Sequence, residues 1–214
     1  MMDWNDFLAA VTLQDEPEIV LMATATSGLH SGDSLLAVAY RYLRGDEEVD
    51  CGALYQLVPD DVLLPAAEYH RIAPEFIRTH GLPKEEFTQK LQAVLAPTRT
   101  VFTYNSAFQI KAITQMQGGF AELMCPMCDL TVWLKAAESK MVFTAKKPPM
   151  DRIENDALRK IFKAVPSWKR LLESRHMASV APPGKLPVVY NVDCLLDLYR
   201  AMEKEPPDIL LELK

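Results

Sequence analysis

Few side chains in this sequence combine the type and the spacing that chemistry needs. Cys125-Pro126-Met127-Cys128 is a C-x-x-C, the spacing of a dithiol redox couple or of half a zinc site. A zinc site needs a second pair, whereas Cys51 and Cys194 stand alone and His30, His70, His80 and His176 fall at no ligand spacing. The pair therefore reads as two small apolar residues at a buried strand-to-helix turn. Ser27 or Ser31 beside His30 offers a hydroxyl and a base. Neighbours on one turn do not reach the geometry of a catalytic dyad, and no acid follows at a spacing that would orient the imidazole. What remains is a charge field. Residues 135–185 hold 12 Lys and Arg against 5 Asp and Glu, a local +7; the rest holds 11 against 24, a local −13, giving the net −6. Such a split marks a polyanion-facing surface on an acidic body, or a solvated helical exterior.

The elements that must carry these residues follow from the apolar pattern. The run 19–23 reads as a fully buried strand, and 35–42 and 51–58 as two more, with turns at Ser31-Gly32-Asp33 and Gly45-Asp46. Three strands with short turns predict an antiparallel meander. Pro59 and Pro65 punctuate a loop. Pro83 opens a helix with Phe87, Leu91, Val94 and Leu95 on one face, and Pro97 stops it. Thr100–Tyr104 is a short buried strand, and Ser106–Met116 a helix that Gly118-Gly119 ends. Helices are expected from Asp129 to Ser139, through the basic region, and from about Asn191 to Lys204. The order is a meander continued by αβα units, hence α/β with a mixed sheet.

With 214 residues, 49% of them hydrophobic and 24% charged, the chain fits one globular domain with a sizeable core. No run approaches the roughly 18 apolar residues of a membrane span. The first residues carry early acids and no basic leader region, which argues against an export signal. Trp4, Phe7, Leu8 and Val11 instead recur at helical spacing behind Asp3, a docking helix over 1–18. Four cysteines and no export signal predict free thiols in the cytoplasm. The organisation expected is that helix, a domain over 19–204 with a basic helical insertion at about 140–185, and a tail over 205–214.

The residues at the joints of this order resemble the DEDD-type (DnaQ-like) 3′–5′ exonucleases of the ribonuclease H-like superfamily. The family's first motif, Asp-Thr-Glu-Thr-Thr-Gly-Leu at the end of the first strand, has its frame in Ala23-Thr24-Ala25-Thr26-Ser27-Gly28-Leu29. Its second, roughly His-Asn-small-Phe-Asp, is similar to Tyr104-Asn105-Ser106-Ala107-Phe108-Gln109. Ile72-Ala73-Pro74-Glu75-Phe76 and Pro126-Met127-Cys128-Asp129-Leu130 resemble two further segments. The last motif sets a His five residues before an Asp; here Asp193 takes the Asp position and Val188 that of the His. The resemblance covers most of 15–204 and is weakest over 140–185. It implies a three-layer fold with a mixed five-stranded sheet, a meander plus parallel strands, flanked by helices.

The resemblance also implies a chemistry that these residues do not supply. Two divalent ions about 4 Å apart would clamp the scissile phosphate, and Mg²⁺ wants carboxylate oxygens. Positions i and i+2 of a strand share a face, so Asp-x-Glu presents two carboxylates together; Ala23 and Ala25 present methyl groups. Gln109 offers a neutral carbonyl, Val188 no base, and Asp193 is the one acid left at a family position. No cofactor is expected, although Mg²⁺ or Mn²⁺ would be required were the carboxylates restored. Two origins for the alanines remain: deliberate truncation of an active enzyme, or natural loss, which Gln109 and Val188 favour. Thr26, Leu29, Asn105 and Phe108 fall where the family's cleft meets a terminal nucleotide, although ordinary core and turn packing is the better account of Leu29 and, by a smaller margin, of Phe108. Lys146, Lys147, Arg159, Lys160, Lys163, Lys169 and Arg170 could follow a phosphate backbone. The function expected is binding of single-stranded DNA or RNA 3′ ends without hydrolysis. The alternatives are a 3′–5′ exonuclease disabled at Ala23 and Ala25, and a protein-interaction scaffold with a vestigial cleft.

Overall fold

A computed structural model of the chain describes residues 18–28, 33–96, 99–103, 106–115, 127–129 and 181–203. Strand β1 (Glu18–Thr26) lies at the centre of a mixed sheet. It pairs antiparallel with β2 (Leu35–Arg44), from Glu18 opposite Arg44 to Ala25 opposite Ala37, with a bulge at Ala25/Thr26. It pairs parallel with β4 (Thr100–Thr103), from Ile19 beside Thr100 to Met22 beside Thr103. Strand β3 (Glu47–Tyr55) pairs antiparallel with β2, and β5 (Met127–Asp129) parallel with β4, giving the order β3-β2-β1-β4-β5. A central strand covered on both faces must be apolar nearly throughout, as the stretch Ile19–Ala23 is.

The helices lie on both faces. Side chains alternate along a strand, and residues opposite one another in neighbouring strands share a face. On one face Val20, Met22, Val38, Tyr42 and Val101 pack against Phe87 and Leu91 of α4 (Lys84–Val94) and Ala112 and Ile113 of α5 (Ser106–Gln115). Arg99 closes the end of α4: Nη1 donates to the Ala93 and Val94 carbonyls, and the guanidinium lies 4.0 Å over the Tyr42 ring. That satisfies two carbonyls which a helix C-terminus leaves unpaired. On the other face lies α6 (Pro187–Glu203), whose Tyr199 meets Phe102 edge-on at 5.9 Å. No helix among the described residues is long and apolar enough to cross a membrane.

Several boundaries differ from those expected. Strand β3 begins at Glu47 rather than Cys51, because Gly45, at φ +56°, turns the chain so tightly that pairing with β2 resumes at once. Its first residues are acidic because they form the exposed edge of the hairpin, which hides the strand from an apolar pattern. The expected loop after Pro59 is largely helical: α1 (Asp60–Leu63), a 3₁₀ turn (Leu64–Ala66), α2 (Ala67–His70) and, beyond a short link, α3 (Pro74–His80). Pro65 and Pro74 occupy first-turn positions, where proline starts a helix rather than breaking one. Pro187 does the same for α6, which begins four residues before Asn191. Asp129 closes β5 instead of opening a helix; the remainder of that expected helix lies outside the described residues. So do positions 1–17 of the expected docking helix, whose last position, Glu18, opens β1 instead, and so do nearly all of the basic insertion and the tail over 205–214.

Candidate nucleic-acid site at the end of β1

The stretch compared above with a first motif ends strand β1 and enters the turn after it. Ala23 and Ala25 are 5% and 8% exposed and point to the same face of the sheet. Ala23 lies opposite Ala39, itself opposite Ala53; Ala25 lies opposite Ala37, itself opposite Tyr55. Five alanines therefore floor this part of the sheet across three strands. It is the α6 face: Leu21, two residues before Ala23, lies beside Arg41 and Phe102, which reach Asp193 and Tyr199 of α6.

The turn after β1 is tied on itself. Thr26 Oγ1 donates to the Gly28 carbonyl at 2.5 Å, the Ser27 amide to the Ser34 carbonyl at 2.9 Å, and the Ser34 amide to Ser27 Oγ at 2.8 Å. A Cβ at Gly28 would lie 2.6 Å from an Asp33 carboxylate oxygen, so a larger residue there would displace the Asp33 side chain. Ser27 Oγ thus serves the turn; His30 and Ser31 lie outside the described residues.

Asp193 sits half-buried on α6, five residues after Val188, which is buried. Both carboxylate oxygens are engaged: Oδ1 accepts from Arg41 Nη2 and Oδ2 from Lys185 Nζ. Arg41 Nη1 also donates to Glu48 Oε1 at 2.8 Å, and the other Glu48 oxygen lies 3.9 Å from Arg200 Nη2. Asp193 and Arg200, two turns apart on α6, thereby close a ring of alternating charge with Arg41 on β2 and Glu48 on β3. Desolvation opposes the Arg41 charge, yet Asp193 and Glu48 hold its pKa above the ordinary value. Asp197, one turn on, is pushed up by burial and by the Asp193 charge. Apolar patterning has no means of pairing Arg41 with Asp193, 152 positions away. The available signal was Arg41 itself, a lone charge at an inward position of an apolar strand.

The other predicted residues divide in two. Gln109 is buried and Phe108 half-buried on α5, whose Ala112 and Ile113 pack into the opposite core. Leu29, Asn105, Cys125, Lys146, Lys147, Arg159, Lys160, Lys163, Lys169 and Arg170 lie outside the described residues. Cys128 lies on β5 beside Phe102, Cys51 is exposed on β3 and Cys194 buried on α6; the last two are not in disulfides. Among the described residues no three His, Cys, Asp or Glu side chains converge as a metal site would require.

No known sequence family and no curated protein matches this chain. Solved structures do. Exonuclease I of E. coli in its zinc-bound complex with single-stranded DNA superposes with a TM-score of 0.61 at 13% identity, covering 92% of this chain and 43% of that one. Exonuclease I in its apo form gives 0.62 at 14%, covering 92% and 44%. The complex of exonuclease I with SSB-Ct gives 0.61 at 14%, covering 92% and 43%. The chain spans less than half the length of these neighbours. At such identity the likeness is one of fold, and the fold is the α/β, ribonuclease H-like fold of the exonucleases.

Proposed function

We propose that this chain is an exonuclease-fold protein that holds single-stranded 3′ ends of DNA or RNA without cutting them. The observation that carries the reading is the engagement of Asp193. Two-metal hydrolysis needs several carboxylates free to face the ions. In this chain the acid at the last-motif position has both oxygens on Arg41 and Lys185. The first-motif positions are methyl groups sealed into a packed face. Such a donor set does not fit a pair of divalent ions. Fixed cations take the place of mobile ones, and the carboxylate serves the docking of α6.

Binding is supported from two sides. The neighbouring exonuclease I is known in complex with single-stranded DNA. Residues 135–185 carry the local excess of +7, where Lys146, Lys147, Arg159, Lys160, Lys163, Lys169 and Arg170 would follow phosphates. Thr26, Leu29, Asn105 and Phe108 would meet the terminal nucleotide. The SSB-Ct complex of the same neighbour gives a protein partner as the second reading. Cys51 and Cys194, neither in a disulfide, are consistent with residence in the reducing cytoplasm.

Fluorescence anisotropy of a labelled single-stranded oligonucleotide over a salt series tests this reading. Binding should be present at low salt and fall steeply as salt rises, and the oligonucleotide should stay full length with Mg²⁺ or Mn²⁺. Absence of binding at low salt removes the nucleic-acid function and leaves the protein scaffold. Metal-dependent shortening restores the exonuclease.

A further inference from the structure

Away from the end of β1, three rings meet where β3 ends. Phe76 of α3 meets Tyr55 edge-on, with centroids 4.8 Å apart and planes at 79°. One turn on, the His80 imidazole stacks on the Phe76 ring at 4.3 Å and 21°. Its Nδ1 lies 3.1 Å from the Phe76 carbonyl oxygen, which holds the ring in place and fixes Nδ1 as the donor. Tyr55 and Phe76 are half-buried, His80 is exposed, and Leu57, whose backbone packs against Gly81, is 47% exposed.

Packing alone does not call for the outermost layer. Ile77 anchors α3 in the core, and the Tyr55–Phe76 contact closes the seam between α3 and β3. The exposed imidazole adds a flat π-face at the surface, which is what an unpaired base stacks on. The position fits as well. Tyr55 lies opposite Ala37 and Ala37 opposite Ala25, so the platform stands on the same face and in the same row as the first motif. Two strand spacings separate them, roughly 10 Å, a reach of one or two nucleotides. Arg78, on the same helix, donates to Asp60 at 3.0 Å and to Glu75 at 2.8 Å. What the three rings themselves offer is stacking.

We propose that Tyr55, Phe76 and His80 form a stacking platform for an unpaired base one or two nucleotides upstream of the 3′ end. This rests on the single-strand reading above and adds to it a second contact of a different physical kind. Stacking contributes to affinity with little salt dependence, whereas phosphate contacts set the salt slope.

The test uses the whole chain and single-stranded oligonucleotides carrying 2-aminopurine at successive positions from the 3′ end. Wild-type protein should quench the probe at the second or third position. His80→Ala should abolish that quenching and weaken binding by about five- to a hundredfold, with the salt slope unchanged. His80→Phe should restore both, and Phe76→Leu, which keeps apolar bulk at the seam, should lose quenching while the protein stays folded by circular dichroism. If wild type binds but His80→Ala binds equally and quenches equally, the platform is wrong and the single-strand reading stands. If wild type binds no oligonucleotide at low salt, that reading falls and the platform with it.

Discussion

The two faces of the sheet follow different rules. The face under α4 and α5 is filled by large interlocking side chains, among them Met22, Tyr42, Phe87 and Leu91. The face under α6 combines a floor of alanines with a ring of charge, Asp193–Arg41–Glu48–Arg200. The first is what any sheet-and-helix layer needs to leave water. The second has the outline of a site, with small residues where a ligand frame would sit and an acid held by two cations. The contrast teaches that one sheet can carry an apolar interlock on one face and, on the other, a carboxylate tied by two cations to the docking of a helix.

The largest effect should come from putting charge back on the alanine floor. Ala23→Asp with Ala25→Glu places two carboxylates where exposure is 5% and 8%, with Asp193 already engaged. A single unpaired buried charge costs about 3–5 kcal/mol. The double variant should unfold at much lower denaturant and show no Mg²⁺-dependent trimming of a labelled 3′ end. A stable variant that trims would break the comparison and show that the alanines replaced the ligands of a live enzyme.

Next in size is the opposite face. Leu91→Ala, at a position with no exposure, should cost about 2–5 kcal/mol by urea unfolding while oligonucleotide affinity of the folded fraction is unchanged. A change in affinity at matched folding would mean that this face takes part in binding.

Arg41→Met keeps an apolar stem and removes the cation shared by Asp193 and Glu48. The groups are about one quarter exposed, so a loss of about 1–2 kcal/mol is expected, shrinking as salt screens the ring. An unchanged midpoint at low salt would show that the ring does not hold α6.

The smallest effect is a pH dependence on the α6 side, where Arg71 Nη1 donates to the Ala181 carbonyl ahead of α6. The adjacent His70 is buried; its Nε2 lies 2.8 Å from the Leu63 carbonyl oxygen and its Nδ1 accepts from the Ile72 amide at 3.0 Å. Only the neutral ring with hydrogen on Nε2 makes both bonds. Burial lowers its pKa below the ordinary 6.5, so the unfolded chain binds the proton more readily. Stability should therefore be full above pH 6.5 and decline as pH falls below it. His70→Gln should flatten that decline in thermal melts; an equal slope in the variant would assign it to other groups.

Much of the fold was legible because burial imposes period and composition locally. The run 19–23, the strand over 35–42, the turn at Gly45-Asp46 and the amphipathic α4 all follow from near neighbours in sequence. The first residues of β3 were not legible, because an exposed edge strand carries acids, nor were α1 to α3, because the prolines that begin them read as breakers. At the site, Ala23, Ala25 and Asp193 could be picked out from motif frames. Arg41, Glu48, Lys185 and Arg200 could not, since a charge on a strand or helix does not announce its partner.

The sequence by itself determined the order of β1 to β4 with α4 and α5, the alanines at 23 and 25 and the segregation of positive charge into 135–185. These are one-dimensional properties, readable wherever a period or a composition changes. Only the tertiary structure decided what Asp193 does. Whether a carboxylate faces an ion, water or an arginine depends on which strand its helix crosses, and that crossing brings together Asp193 and Arg41 from 152 positions apart.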